Sequence, residues 1–177
     1  MIDLKIYNKS DKLKDGTAIT IRSVHPEDKQ MMRDAFYELE RQSRYTRFFG
    51  YKDHVTDEEL KKATEVDFEK EVALVITTIA AGKEIIIGAG RYFLLTLSPD
   101  TPPAAEVAFT VEEDYHGQGL AGRLFEHLAD IAREKGVGLF EAEVLPQNKA
   151  MLAVFKRQGL PMSKKHIDGM IHVSLAL

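Results

Sequence analysis

The stretch Ala105 to Arg123, AEVAFTVEEDYHGQGLAGR, decides how the rest of the chain is read. Its first seven residues alternate and are rich in β-formers, which predicts a strand. Glu106, Ala108 and Thr110 fall on one face of that strand, and Val107, Phe109 and Val111 on the other. Downstream, Leu120, Leu124, Phe125, Leu128, Ile131 and Ala132 recur at helical spacing, and Gly136 ends the pattern. Between strand and helix, Gly117, Gly119 and Gly122 fit G-x-G-x-x-G. Glycines there let backbone N–H groups turn toward one point, and the helix N-terminus adds partial positive charge. The stretch therefore reads as a pyrophosphate cradle.

Two cofactor classes suit such a cradle: a dinucleotide on a doubly wound sheet, or an acyl-coenzyme A. A dinucleotide loop follows its strand almost directly and starts a repeated βαβαβ half. Here Glu112 to His116 intervene, and 55 residues remain after Gly122, enough for one crossover and a tail. Glu141 and Glu143 lie near the distance of a ribose-binding acid, the one point in favour of the dinucleotide.

Working outward, Thr17 to Arg22 (TAITIR) reads as a half-buried strand, and residues 1–16 as an extension before the core of 17–177. His25-Pro26-Glu27-Asp28 starts a helix expected to reach about Arg41, with Met31, Met32, Ala35, Phe36 and Leu39 inward. A second helical patch follows Thr56. Glu71 to Leu97 holds two paired strands around a Gly82-Lys83 turn, and Ser98 to Pro103 (SPDTPP) is a loop. Leu139 to Leu145 is a strand. Asn148 caps a short helix carrying Met151, Val154 and Phe155, which Gly159 ends; Met170 to Leu177 is the last strand. The order β-α-α-β-β-β-α-β-α-β gives one α/β domain over 1–177, with a mixed sheet, flanking helices and one βαβ crossover.

The segment His116-Gly117-Gln118-Gly119-Leu120-Ala121 resembles the R/Q-x-x-G-x-G/A signature of the GNAT family of N-acetyltransferases. Nearly the whole chain, Thr17 to Leu177, falls in that family's order. More narrowly, DGTAITIRSVHPED, SRYTRFF (Ser43 to Phe49), GRYFL and EVAFTV are similar to the catalytic domain of bacterial protein lysine acetyltransferases. In some of those the domain is fused to a nucleotide-sensing or acyl-CoA-synthetase-like module, and a chain of 177 residues is expected to hold the catalytic domain alone.

The resemblance implies acetyl-CoA as acyl donor and a primary amine, a protein lysine or a small amine, as acceptor. It implies that Glu106 is the general base, and that backbone N–H groups of Phe109, Thr110 and Val111 meet the thioester and pantetheine. The turn His116 to Gly122, with Arg123 and Asn148, would hold the rest of the cofactor. Two positions depart from the family pattern. His116 replaces the usual Arg or Gln, and Phe155 stands where many members carry a tyrosine that protonates the leaving thiolate. A phenyl ring has no proton to give. A non-catalytic acyl-CoA sensor of the same fold is the alternative.

The chemistry needs a neutral amine, and at pH 7 only about one lysine in two thousand is neutral. A base therefore gives about 10²–10⁴-fold. The chain has no cysteine, which excludes a disulfide framework, a thiolate nucleophile and cysteine metal sites. Six histidines at unsuitable spacing give no metal constellation. A net charge of −4 argues against a nucleic-acid partner. Apolar runs interrupted by Lys83, Glu84 and Arg91, and an N-terminus without a signal peptide, argue against a membrane and for the cytoplasm. A homodimer is compatible with the sequence. Arg44 and Arg47 sit between aromatics and could meet a phosphate or an acidic substrate group. Lys52 to Glu71, eight acids against four lysines, would draw a cationic acceptor if it bordered the cleft.

Overall fold

Strand alternation becomes a mixed sheet in the computed structural model, which describes residues 1–95 and 99–177, the side chain of Glu113 excepted. The strands are β1 (Asn8–Lys12), β2 (Ala18–Ser23), β3 (Glu71–Ala80), β4 (Lys83–Leu95), β5 (Ala104–Val111), β6 (Leu139–Val144), β7 (Met162–Ile167) and β8 (Met170–Ala176). They lie in the order β1-β2-β3-β4-β5-β6-β8-β7. Among the described residues only β5 and β6 run parallel, joined by a helical crossover; the other neighbours are antiparallel. One parallel pair in an antiparallel sheet is no doubly wound sheet, so the dinucleotide reading falls.

Helices cover both faces. α1 (Lys29–Glu38) and α3 (Asp57–Thr64) flank one, where Met31, Met32 and Ala35 pack on Val24, Ala73, Val75 and Ile86. α4 (Leu120–Glu134) and α5 (Lys149–Arg157) lie over the other. Their buried Phe125, Leu128 and Phe155 join Tyr92, Phe109 and Phe140 in the main core. α4 forms there because its apolar residues make one stripe, and Gly136 stops it at φ +80.

Four expectations are corrected. Residues 1–16 are not outside the core, because β1 pairs with β2 and both Leu4 and Leu13 are buried. The first helix ends at Glu38, and α2 (Arg41–Phe48) follows as a separate helix. Arg44 explains the break: it donates to the carbonyls of Phe36 (3.2 Å) and Tyr37 (3.0 Å), which a continuing helix would have used itself. The β3–β4 turn is Ala81-Gly82, both at positive φ, one residue before the predicted pair. A further strand, β7, precedes the last one across Asp168-Gly169. Thr96 and Leu97, the predicted end of the second strand, and Ser98 of the loop lie outside the described residues.

Candidate active site

The parallel pair parts early. β5 and β6 are in register only at Ala104↔Leu139, Ala105↔Phe140 and Glu106↔Glu141, although β5 continues to Val111 and β6 to Val144. The Glu112 N–H donates to the Ile87 carbonyl of β4 (2.9 Å). Backbone N–H groups alternate sides along a strand, so those of Phe109 and Val111 point the other way, into the gap, whereas that of Thr110, expected there too, faces β4. A cavity of about 490 Å³ runs through it. Phe109, Leu120 and Phe155 line it on the α4 side; Glu106, Thr46 and Arg47 line it on the α2 side. The opening is thus a passage through the sheet, and the exposed Glu106 carboxylate stands where the strands separate.

At one mouth lies the glycine turn. Gly117 (φ +77) and Gly119 (φ +78) are left-handed, and nothing lies within 4 Å of where a Cβ would project. That leaves room for a bulky anion against the backbone, and the N-terminus of α4, capped by Gly119, adds its dipole. Gly122 has ordinary φ, and a Cβ there would touch only Gln158 Nε2 at 3.6 Å, so an alanine fits as well. The His116 ring lies 2.7 Å, through Nε2, from the Val111 carbonyl, tying the turn to the end of β5.

All predicted site residues line the cavity except Gln118 and Arg123. Arg123 is engaged elsewhere, donating to the Lys12 carbonyl (2.7 Å) and pairing with Asp11 (3.4 Å). The Gln118 side chain accepts from the Lys14 N–H (3.2 Å). Lys14, which sequence reasoning missed, brings its Nζ to the Gly117 carbonyl (2.9 Å) and lines the cavity. Asn148 caps α5 by accepting from the Met151 N–H (3.2 Å), which leaves its amide N–H₂ for a ligand. Phe155 is buried with Phe109 and Phe125 around it. Glu143 also lines the cavity, 3.6 Å from His172 Nδ1, whereas Glu141 accepts from Ser174 (2.7 Å).

The two arginines of α2 have different surroundings. Arg44, besides its carbonyl bonds, stacks on Phe36 at 4.7 Å and is structural. Arg47 faces both this cavity and a second of about 270 Å³ under α1 and α3, lined by Met32, Phe36, Leu39 and Leu60. Burial first, and then Arg91, pull the Arg47 pKa down to about 10, against an opposing pull from Glu106; the group stays cationic at neutral pH. The acidic run 52–71 is largely neutralised within the chain. Glu59 pairs with Lys52 (2.5 Å), Glu65 with Lys29 (3.0 Å), Glu71 with Arg91 (2.7 Å), and Asp57 with Arg33. Its pull on a cationic acceptor is weaker than the sequence implied. Among the described residues no group of three or more His, Asp or Glu side chains could hold a metal ion. Nor is any helix among them long and apolar enough to cross a membrane.

The sheet thus opens beside the glycine turn, with the Glu106 carboxylate at the opening. The chain belongs to the Acetyltransferase (GNAT) family, whose model matches residues 31–160. It is 28% identical over 141 residues to Acetyltransferase PA5475 of Pseudomonas aeruginosa, covering 80% of this chain and 74% of that one. It is 30% identical over 148 residues to Acetyltransferase Pat of Mycolicibacterium smegmatis, covering 84% of this chain but 43% of the relative. The crystal structure of the GNAT domain of S. lividans PAT superposes with a TM-score of 0.85 at 29% identity, over 96% of this chain and 97% of that domain. The latter two similarities agree with the narrower resemblance to bacterial protein lysine acetyltransferases.

Proposed function

We propose that the protein moves the acetyl group of acetyl-CoA to a primary amine, a protein lysine side chain, by direct attack with both substrates bound. The observation that carries this reading is the passage through the sheet. It would let a donor lying along α4 and α5 present its thioester beside Glu106 to an acceptor arriving from the α2 face. Gly117 to Gly122 would receive the diphosphate, and the N–H groups of Phe109 and Val111 the pantetheine and thioester carbonyl. Glu106, directly or through water, would take the proton of the attacking ammonium. The neutral nitrogen then bonds to the carbonyl carbon, negative charge gathers on the carbonyl oxygen against backbone donors, and the C–S bond breaks as the nitrogen gives its second proton to water, leaving the amide. Phe155 donates nothing, so the thiolate leaves as the anion or takes a proton from water. With no cysteine in the chain, a thiol acyl-enzyme is closed. A small amine is the second reading of the acceptor, favoured by the modest size of the second cavity, about 270 Å³.

Replacing Glu106 by Gln keeps the shape and removes the base. Turnover on a lysine peptide should fall about 10²–10⁴-fold while the dissociation constant for CoA changes little. Near-normal turnover of E106Q across pH 6–9 removes Glu106 from this role.

A further inference from the structure

Arg47 joins the two cavities described above, which share two lining residues, Arg47 and Thr110. Its neighbour Arg91 is fully engaged, donating to Glu71 (2.7 Å) and to the Ala63 carbonyl (2.8 Å). Lys52, also on the second cavity, is paired with Glu59 at 2.5 Å. Arg47 differs: among the described residues no hydrogen bond or ion pair reaches its guanidinium, and its one ring contact is Phe48 at 5.1 Å. The Glu106 carboxylate acts on it only at longer range, and a partly buried cation with no direct partner costs free energy, which a bound anion relieves. The rest of the second cavity is mainly apolar, with Met32, Phe36, Leu39 and Leu60 in its wall, which suits an aliphatic stem; of the two carboxylates that also line it, Glu59 is paired with Lys52, and Glu112 is the other.

We infer that Arg47 holds a carboxylate of the acceptor while the acceptor's amine reaches Glu106 through the junction of the two cavities. The inference rests on the transferase reading above and narrows its acceptor to an amine whose molecule also carries a carboxylate. Two sources share this chemistry, a free amino acid or an acidic residue next to the target lysine. A planar guanidinium suits either, because it meets a carboxylate in a bidentate fork. The site of the cation supports placing the anion on the acceptor. Arg47 lies on the α2 face with the second cavity, away from Gly117 to Gly122, where the donor's phosphates would sit.

Two matched pairs of acceptors test this: Nα-acetyl-lysine against its C-terminal amide, and a lysine peptide with a neighbouring Glu against the same peptide with Gln. In at least one pair the wild-type protein should favour the carboxylate by about tenfold in kcat/KM. Arg47→Gln should bring that ratio close to one, and Arg47→Lys should keep part of it. The pair that discriminates identifies the source. Ratios near one for the wild type in both pairs, with acetylation proceeding, overturn the inference and leave the transferase reading standing. A preference that survives intact in R47Q overturns it too. If R47Q instead alters the choice between succinyl-CoA and acetyl-CoA, the carboxylate belongs to the donor and the acceptor assignment fails. Absence of acetylation of all four compounds removes the transferase reading and this inference with it. The wild-type ratios need no variant, so the test holds even where R47Q folds poorly.

Discussion

Lys14 and Gly117 lie 103 residues apart in sequence, yet the lysine Nζ rests 2.9 Å from the glycine carbonyl. That places an ammonium group at the turn where the diphosphate of the donor would lie, and where His116 has replaced the usual Arg or Gln. Lys14→Met should weaken CoA binding about fivefold in low salt, and the loss should shrink as salt rises. Binding of pantetheine, which lacks the diphosphate, should stay within about twofold, the scale of a surface charge change. Calorimetric titration of both ligands at two salt concentrations checks it. Nothing in the sequence around Lys14 marks it, because its role comes from how β1 and β2 meet the head of α4. The cradle residues, by contrast, were legible, since left-handed turns select glycine and the motif records that choice locally. Arg44 and Arg47 could not be told apart in sequence; their different surroundings are set by where α1 ends.

At the scale of elements, the entry to α1 is fixed by one buried ion pair. The Asp28 side chain is 4% exposed and accepts from both terminal nitrogens of Arg22, each at 2.8 Å, and from the His25 N–H at 2.8 Å. Burial pushes the Asp28 carboxyl up, but the bonds from Arg22 and His25 outweigh it and hold it below its ordinary value. The folded value is therefore lower than the unfolded one of about 3.9. The stabilisation is whole above that pH and is lost as pH falls through the depressed folded value. Asp28→Asn leaves Arg22 with a weakened partner and should cost about 3 kcal/mol at pH 7. In urea melts the gap between wild type and variant should narrow as pH falls below about 3.9; a gap constant down to pH 2 contradicts the assignment. Elements with an apolar stripe, alternation or a continuous apolar run were legible: α1, α4, β3, β5 and β8. α2 buries no side chain completely, and β1 (NKSDK) is exposed throughout. β7 is exposed at every position but Met162. Such segments have no periodicity to read. Edge strands form because a neighbour offers free backbone groups, a cause that lies outside their own residues.

Across the whole molecule, the sheet consists of two parts, β1 to β5 and β6 to β8, which share three register pairs and the crossover helix α4. A donor lying in the gap would contact both parts. Acetyl-CoA at about 100 times its dissociation constant should add about 2.7 kcal/mol of stability, several degrees in Tm. NAD at the same concentration should add none. Parallel thermal melts make the comparison. A shift with NAD instead would overturn the assignment of the glycine turn.

The outer borders of the sheet have a separate consequence. A free strand edge is a template on which other chains can polymerise. Here one border is the charged run NKSDK and the other carries Lys164, Lys165 and His166, all exposed. Both borders therefore resist the addition of further strands. The backbone N–H groups of Phe109 and Val111 face instead an interior slot, shielded from fibril growth yet open to a ligand.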